Sequence, residues 1–360
     1  MAIEKINIEN FLKLSQTFPV IDVRSPGEYL HAHIPGAFSI PLFTDEQRKV
    51  IGTAYKKESR QKAVKIGLEY FSETMKIIPG QAIKILEGLK KNNEVSEKTF
   101  LIHCWRGGMR SDAVAWLLNL FGYKIYLLIG GYKSFRRWVL QQFEKDYSLK
   151  IIGGYTGSGK TEILEDLKLR GEKIIDLEGL AKHRGSAFGA LGQQPQPAAE
   201  MFENLLALAL WKLSGNGHNE DAQTENESKD IWVEDESAHI GTVGIPKGFW
   251  LQMRKSKLFF LDIPFEERLK NIVRVYGSFD KQKLNECVLK IQKRLGGLDT
   301  KNTLQFIDEG NIKEAFSILL KYYDKMYEQS LQKRENIQAL LQILPCSKSG
   351  NINAPHLLAQ

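Results

Sequence analysis

Short apolar runs alternate with longer segments of helical periodicity over the first 150 residues. The runs end at turn-forming residues such as Pro26–Gly27 and Gly130–Gly131, which is typical of buried strands. The predicted elements are a helix over Ile8–Ser15, a strand over Pro19–Ile21, a loop with a short strand over 31–43, helices within 45–92, a strand over Thr99–His103, a helix over Ser111–Leu120, a strand over Tyr123–Ile129 and a helix through Trp138 to about Asp146. Because strands alternate with helices, this pattern predicts a parallel α/β domain.

A second α/β pattern begins at Leu149. Its predicted elements are strands over Lys150–Ile152, Lys173–Leu177, Ile231–Glu234 and Leu258–Asp262, and a helix from about Lys160. Residues 214–230 are polar and lack periodicity, which predicts a flexible surface insertion. From Phe265 onward the pattern is helical, down to a frayed tail after Pro345.

The fold class predicted from these patterns is α/β, with two parallel α/β domains and a helical C-terminal region. We expect the domain boundaries to give residues 1–145, 146–275 and 276–360. A chain of 360 residues is long enough for two or three domains with well-filled cores. The sequence shows no internal repeat.

The composition is that of an ordinary globular protein, with 42% hydrophobic and 26% charged residues. No apolar run approaches the ~20 residues of a membrane-spanning helix, and the amino terminus lacks the apolar region of a secretory signal. The three cysteines lie far apart without metal-ligand spacing, which argues against a disulfide scaffold or a zinc module and favours a cytoplasmic location. A net charge of +7 permits nucleic acid as a partner without demonstrating it.

The predicted Thr99–His103 strand ends in the motif His-Cys-x5-Arg-Ser, which runs from His103 to Ser111. Gly107 and Gly108 allow the backbone to curl so that its N–H groups converge, and the helix that begins at Ser111 directs its positive end to the same point. Such surroundings lower the pKa of a thiol from ~8.5. Arg110 can present its planar fork to an oxyanion. We therefore predict that Cys104 and Arg110 are catalytic.

The other two cysteines lack this context. Cys287 lies within an apolar helical pattern, and Cys346 lies in the predicted tail. Isolated cysteines of this kind are most often small buried apolar side chains, so we expect no chemical role for either.

Residues 154–161 read Gly-Tyr-Thr-Gly-Ser-Gly-Lys-Thr and fit the pattern G-x-x-x-x-G-K-[ST]. The motif follows a predicted strand and opens a predicted helix, which is the context of a phosphate loop. Its backbone N–H groups can surround a phosphate, the lysine can bridge phosphate oxygens, and the threonine hydroxyl can hold Mg²⁺. The predicted phosphate-binding residues are Gly154, Gly157, Ser158, Gly159, Lys160 and Thr161.

A phosphate loop of the NTPase kind also needs a carboxylate at a strand end for the water shell of the metal. The acidic run Glu234–Glu236 supplies candidates, of which Glu234 and Asp235 are predicted to hold the metal shell, although such a run at this place is equally typical of a solvated turn. Arg268 and Arg274 can contact phosphates or simply form the polar face of a helix. No residue is predicted to bind a metal directly.

Four motifs in order make residues 1–140 resemble a rhodanese domain. They are Ile21–Tyr29, His33–Ala37, the Cys104–Arg110 loop and Gly130–Trp138. The resemblance implies that the loop cysteine carries sulfur or selenium as a persulfide-type adduct. The related dual-specificity phosphatases also use a His-Cys-x5-Arg loop on this scaffold, so a phosphatase function stays open.

A rhodanese domain followed by a P-loop domain in one chain is unusual, and residues 5–340 resemble the tRNA 2-selenouridine synthase family. Further stretches that carry the resemblance are Gly52–Lys56, Ala63–Leu68, Cys104–Ser111, Gly130–Lys133, His183–Ser186, Gly192–Pro195 and Phe202–Asn204. The polar insertion at 214–230 touches none of them.

The resemblance implies a tRNA-modifying transferase that replaces sulfur by selenium in a wobble 2-thiouridine. Geranyl diphosphate alkylates the sulfur, and selenium from selenophosphate then displaces the S-geranyl group, with Cys104 as the selenium carrier. We expect these two co-substrates and no tightly bound cofactor, with Mg²⁺ compatible with the phosphate loop. A selenophosphate-supplying enzyme is an expected partner. We further infer that the diphosphate occupies the 154–161 loop without ATP hydrolysis.

The tRNA anticodon region must also be held. The first candidate tRNA-binding residues are Lys133, Arg136 and Arg137, which follow the predicted Tyr123–Ile129 strand. The others are Arg254 and Lys255, which belong to a second basic group with Lys247 and Lys257, where Phe249 and Trp250 are interleaved. Phosphate contacts would supply most of the affinity, and an aromatic side chain can stack on an unpaired base.

Two other function classes stay open. One is a P-loop phosphotransferase or NTPase with an accessory sulfurtransferase or Cys-x5-Arg phosphatase domain, which predicts ATP turnover without tRNA. The other is a non-catalytic phosphate-sensing module, in which Cys104 would be dispensable.

Overall fold

The structure is a computed structural model that describes residues 3–91, 98–216 and 230–359. The chain divides into two compact units, Met1–Gln142 with Glu203–Asn219 and Phe143–Phe202 with Glu220–Gln360. Most of the insertion predicted at 214–230 lies outside the described residues. Within the described ranges, no helix has both the length and the apolar character needed to cross a membrane.

The first unit is a five-stranded parallel sheet with helices. Its elements are β1 Ile3–Ile6, α1 Ile8–Leu14, β2 Val20–Asp22, α2 Pro26–His31, β3 Phe38–Ser39, α3 Asp45–Lys57, α4 Arg60–Thr74, α5 Ile78–Lys91, β4 Thr99–His103, α6 Met109–Leu120, β5 Lys124–Leu128 and α7 Gly131–Gln142. The strand order β1-β5-β4-β2-β3 puts β4 at the centre, where every one of its residues is buried. A continuous apolar run suits a strand covered on both faces, and here it delivers Cys104 to the carboxyl end of the sheet.

The second unit also contains a five-stranded parallel sheet. Its elements are β6 Leu149–Gly154, α8 Lys160–Leu169, β7 Lys173–Ile175, α9 Leu177–Ala181, the start of α10 Ala199–Trp211, β8 Ile231–Glu234, β9 His239–Ile240, β10 Val243–Gly244, α11 Lys247–Lys255, β11 Lys257–Asp262, α12 Phe265–Tyr276, α13 Lys281–Leu295, α14 Gly297–Glu309, α15 Ile312–Gln332, α16 Ile337–Leu340, β12 Leu341–Pro345 and α17 Ala354–Leu358. The strand order β12-β11-β6-β8-β7 places β6 centrally, with β8 beside it. The loop after β6 and the acidic end of β8 therefore share one edge of the sheet, the usual ligand edge of such folds.

The predicted α/β class, with a helical C-terminal region, is confirmed. Helices α12 to α15 form their own apolar core, which includes Leu284, Val288, Phe316 and Leu319. The predicted strand over Ile231–Glu234 has the observed bounds, whereas α6 begins at Met109 rather than Ser111. Boundaries differ because capping geometry decides them by a residue or two.

The prediction of a frayed tail after Pro345 is wrong. Just before this tail, in a segment predicted to be helical, strand β12 pairs in parallel with β11, with Leu341 opposite Leu258, and completes the second sheet. Beyond it, Cys346, Ala354 and Leu357 are buried in the core under that sheet. A five-residue run has no periodicity that separates strand from helix, so only its pairing with β11 decides its conformation.

The short strand β1 was also missed. It pairs in parallel with β5, and its residues are mostly exposed, as expected of an edge strand. Its pattern of alternating charged and apolar residues, Ile3 to Ile6, is too short to be distinguished from the helix that follows.

Candidate active-site residues

The loop after β4 wraps around the sulfur of Cys104. The Gly108 N–H donates to Sγ over 3.4 Å, and the Ser111 hydroxyl lies 3.3 Å from the same atom. Gly131 lies against this loop with φ +58°, and a Cβ there would lie 2.3 Å from the Cys104 carbonyl oxygen. Only glycine allows the α7 terminus to approach so closely, and that approach lets Tyr132 N–H donate to the Cys104 carbonyl over 2.8 Å.

The loop favours the thiolate. Burial raises the pKa of Cys104, but the Ser111 hydroxyl, the Gly108 N–H and the Arg110 cation outweigh it, so the pKa lies below its usual value. By contrast, burial raises the pKa of the Cys287 and Cys346 thiols. Among the three cysteines, only Cys104 has a thiol whose pKa is lowered.

Arg110 is held by the carboxylate of Glu28, which was not predicted from the sequence to be a site residue. Its Nη1 donates to Glu28 Oε2 over 2.8 Å. Glu28 stands at the start of α2, where it forms a capping box with Ser25. Burial raises the pKa of Glu28, but the hydrogen bond from Arg110 outweighs it and lowers the pKa overall. The cap thus fixes the carboxylate, and the carboxylate fixes the arginine.

A buried ion pair between Asp22 and Arg24 stabilises the surroundings of the cysteine loop. Arg24 donates to Asp22 Oδ2 over 2.6 Å, and its guanidinium lies 3.8 Å from the centre of the Tyr132 ring. Both charged residues are at most 1% exposed. Burial lowers the pKa of the neighbouring His103, which keeps its imidazole neutral. The Asp-Val-Arg motif is therefore a structural support rather than a reacting group.

The 154–161 segment forms the predicted loop between β6 and α8. Lys160 Nζ donates to the Gly154 carbonyl over 3.1 Å, and the Thr161 hydroxyl donates to Glu178 Oε2 over 3.4 Å. Gly157 has φ +87°, and a Cβ there would lie 2.8 Å from the Arg268 carbonyl, so glycine is required. Ser158 is fully buried, and its hydroxyl has no hydrogen-bond partner among the described residues.

Three carboxylates meet beside this loop. Glu178, Glu234 and Glu236 each offer an oxygen, and these oxygens lie within 4.8 Å of one another. The Glu178 N–H donates to Glu234 Oε1 over 2.9 Å, while the buried Glu234 Oε2 has no hydrogen-bond partner within the described ranges. Burial is the largest cause that raises the pKa of all three. Repulsion from Glu178 adds to it at Glu234 and at Glu236, whose pKa rises to about 8, and repulsion from Asp176 adds to it at Glu178. This set of oxygen donors suits Mg²⁺.

The two predicted metal-shell residues are thus separated. Glu234 belongs to the cluster, whereas Asp235 accepts a hydrogen bond from the Tyr327 hydroxyl over 2.8 Å and lies 3.5 Å from Arg334. Side chains alternate in direction along an extended chain, which fits the placement of Glu234 and Glu236 in the cluster and of Asp235 beside Tyr327. Glu236 belongs to the acidic run that the sequence offered and joins the cluster through the turn after β8. Glu178 was not predicted, and it reaches the cluster because β7 and β8 pair in parallel.

The two arginines of α12 have different surroundings. Arg268 is 3% exposed and makes a bidentate pair with Asp324, and it also donates to the Thr156 carbonyl over 3.2 Å. It therefore holds the phosphate loop from its outer side. Arg274 is exposed and pairs with Glu162 over 3.3 Å.

The basic residues proposed for tRNA are not equivalent. Lys133 and Arg137 are exposed on α7. Arg136 instead donates to Asn204 Oδ1 over 2.5 Å and pairs with Glu203, so its charge is already compensated. In the other group, Lys255 is exposed, whereas Arg254 donates to the Ser330 carbonyl over 3.0 Å.

The suggestion that Phe249 is available to stack on a base is wrong. The side chain is fully buried and makes an edge contact with Tyr147. It occupies the apolar face of α11, which packs on the sheet of the second unit. Trp250, the next residue, is half-buried, with Arg254 5.7 Å from its ring centre.

Comparison with known families gives a consistent assignment for the two parts of the chain. A sequence profile described as a rhodanese-like domain matches residues 7–137, and one described as the tRNA 2-selenouridine synthase AAA domain matches residues 147–341. The protein is therefore of the class that joins a rhodanese-like cysteine loop to a P-loop-type domain.

Named relatives make the family specific. A tRNA 2-selenouridine synthase of Hydrogenovibrio crunogenus is 32% identical over 89% of this chain and 91% of its own length. That of Nitrosomonas europaea is 36% identical over 72% of this chain, which spans 63% of that relative. A solved N-terminal domain of a protein described as ATP/GTP-binding, from Clostridium difficile 630, is 36% identical over 38% of this chain and 99% of its own, with a TM-score of 0.34. The chain belongs to the tRNA 2-selenouridine synthase family.

Proposed function

We propose that this chain is a tRNA-modifying transferase that replaces sulfur by selenium in wobble 2-thiouridine through an S-geranyl intermediate. The observation that carries the proposal is the Cys104 thiol, whose pKa is lowered within a loop that also holds Arg110. A soft sulfur whose surroundings favour the thiolate is suited to carrying selenium. The family supports tRNA as the substrate and selenium as the element transferred.

The first step is an alkylation at the second unit. The thiocarbonyl sulfur attacks C1 of geranyl diphosphate, a sulfur–carbon bond forms, the carbon–oxygen bond breaks, and diphosphate leaves while the base loses its N3 proton. Lys160 and the loop amides stabilise the charge that develops on the departing diphosphate. If Mg²⁺ takes part, Thr161 and the Glu178, Glu234 and Glu236 carboxylates fit it, and it would supply further positive charge to the diphosphate.

The second step is the exchange at the cysteine loop. Selenophosphate is held at the Cys104 loop, and its selenium attacks C2 of the alkylated uridine. A carbon–selenium bond forms, the carbon–sulfur bond breaks, and the geranyl group leaves with the original sulfur as geranylthiol, which takes up a proton. Water then cleaves the selenium–phosphorus bond and releases phosphate. Alkylation is useful here because a thiolate-type sulfur leaves poorly until its charge is removed. Arg110 can bind the oxyanion of selenophosphate through its guanidinium fork.

The remaining partners follow from this chemistry. The substrate is the anticodon region of tRNA, and an enzyme that makes selenophosphate must supply the selenium donor. Both co-substrates are consumed, so no tightly bound cofactor is required. Such a reaction, with free thiols, belongs in the cytoplasm.

Mass analysis of nucleosides tests the proposal. Purified protein is incubated with tRNA containing 2-thiouridine, geranyl diphosphate and selenophosphate, and the digested nucleosides are separated. We expect S-geranyl-2-thiouridine when selenophosphate is omitted and 2-selenouridine when it is present. Unchanged 2-thiouridine together with ATP hydrolysis that needs no tRNA would favour an NTPase instead.

A further inference from the structure

The phosphate loop opens into a cavity with two chemically different sides. The cavity measures about 580 Å³, within the range of small-molecule sites. One side holds the loop and the three carboxylates. The other side is formed by apolar and aromatic residues of α12 and α15, which we call the apolar wall: Ile272, Val275, Tyr276, Tyr323, Met326 and Tyr327.

The spacing of these residues explains why they form one surface. On α12 they recur at i, i+3 and i+4, from Ile272 to Tyr276, and on α15 they recur at the same spacing, from Tyr323 to Tyr327. Residues at this spacing share one face of a helix. Two such faces line the cavity, and Ile272 and Tyr276 also belong to the apolar core of the helical region, which holds this surface in place.

The apolar wall begins directly at the phosphate loop. A Cβ placed on Gly157 would lie 2.9 Å from Ile272 Cγ1, so loop and wall are in contact. An anion bound by the loop amides would therefore have an aliphatic side chain within reach of whatever group is attached to it. This continuity distinguishes the wall from an isolated apolar patch.

The polar ends of the wall tyrosines are already engaged. The Tyr323 hydroxyl accepts from Ala187 N–H over 3.2 Å, and the Tyr327 hydroxyl donates to Asp235. Burial raises the pKa of Tyr323 and Tyr327, which keeps both phenols neutral. The wall therefore offers ring and aliphatic surface, with little polarity left to read the edge of a nucleobase.

We propose that the apolar wall binds the hydrocarbon chain of a prenyl diphosphate whose diphosphate lies on the 154–161 loop, with Met326 as a specificity-determining residue. This inference rests on the proposed function and adds the residues that select the co-substrate. An amphiphilic ligand with an anionic head and a branched apolar tail matches the two sides of the cavity. Met326 is partly exposed on the wall, and its flexible thioether adapts to such a chain.

Calorimetric titration of the full chain in Mg²⁺ tests this assignment with three probes: geranyl diphosphate, dimethylallyl diphosphate and inorganic pyrophosphate. We expect affinity to rise in the order pyrophosphate, dimethylallyl, geranyl, by about tenfold or more overall, because each added methylene buries apolar surface. Met326→Gln should weaken geranyl diphosphate about fivefold and change pyrophosphate less than about twofold. Met326→Leu, the matched apolar control, should retain the wild-type order.

The outcomes separate the two hypotheses. Equal affinity for geranyl diphosphate and pyrophosphate, or equal behaviour of the Gln and Leu variants, would overturn the wall assignment while leaving the diphosphate site in place. Stronger binding of ATP than of geranyl diphosphate, weakened by Met326→Gln, would assign the wall to a nucleobase. If wild-type protein bound none of the diphosphates, the proposed role of the phosphate loop would itself fail.

Discussion

Arg110 and Glu28 are 82 residues apart in sequence, yet the arginine Nη1 lies 2.8 Å from the glutamate Oε2. The contact joins the cysteine loop to the capped start of α2, so two of the four motifs of the rhodanese-like unit contribute to one site. It orients a cation beside the thiol without consuming all of its donors, since a guanidinium has five N–H groups. The loop is therefore prepared for an anionic donor.

The hydroxyl of Ser111 is expected to control the ionisation of Cys104. Ser111→Ala removes a group that lies 3.3 Å from Sγ, so the pKa of the thiol should rise and its alkylation by iodoacetamide should need higher pH. Ser72→Ala, on the exposed face of α4, is the matched control. A pH–rate profile identical to that of the wild type would show that Gly108 and Arg110 suffice.

Only one of the three cysteines should be required for selenium transfer. Cys104→Ser should reduce 2-selenouridine formation to background, because a hydroxyl cannot carry selenium. Cys287→Ser and Cys346→Ser should retain it, since neither thiol lies in a loop of N–H donors and burial raises the pKa of both. Nucleoside mass analysis measures the outcome, and 2-selenouridine made by the Cys104 variant would remove its carrier role.

Lys160 should be needed for the alkylation step alone. Lys160→Ala removes the ammonium that stabilises the leaving diphosphate and should slow S-geranylation by about 100-fold. Conversion of tRNA that is already geranylated should persist, because that step depends on Cys104. Lys168→Ala, an exposed lysine on the same helix, is the control.

Failure of Lys160→Ala at both steps, with normal folding and tRNA binding, would contradict a dedicated diphosphate site. A conformational role driven by a nucleotide would then explain the loop better.

The two exposed cations of α7 should contribute to tRNA affinity through phosphate contacts. Lys133→Glu and Arg137→Glu should each lower the slope of log K against log salt by about 0.7–0.9. Lys65→Glu, on exposed α4, should leave it unchanged. Arg136→Glu should instead destabilise the fold, because it opposes Glu203. If the slopes were unaltered, α7 would not contact the tRNA, and the second basic group, which includes Lys255, would be the candidate contact.

The carboxylate cluster should make stability depend on pH. The pKa of Glu236 is raised to about 8 in the folded chain, so between its unfolded value and pH 8 the folded state holds more protons. Stability should therefore fall as pH rises through this window in EDTA, and added Mg²⁺ should restore it. Glu236→Gln should reduce the fall, and the exposed Glu335→Gln should not. Thermal melts at pH 6 and pH 8 measure both, and a pH-independent Tm would refute the cluster's charge coupling.

The sequence by itself determined the fold class, the succession of the major strands along the chain, and the positions of the cysteine loop and the phosphate loop. It could do so because buried parallel strands are continuous apolar runs, and because thiol and phosphate loops need glycines at local spacings. Cys104 and Lys160 each stand directly after or within such a local pattern. The family resemblance added the expected chemistry to residues that the local patterns had already identified.

Only the tertiary structure decided which distant residues complete each site. Glu28 reaches Arg110 across 82 residues, and Glu178 joins Glu234 across 56, through long-range packing that no local pattern specifies. The same is true of β12, whose conformation depends on its partner β11. Charge compensation is equally non-local, as the pairing of Arg136 with Glu203 shows. The local spacing of residues determines the backbone conformation of a loop. The electrostatic field around that loop depends on side chains that only the packed chain brings together.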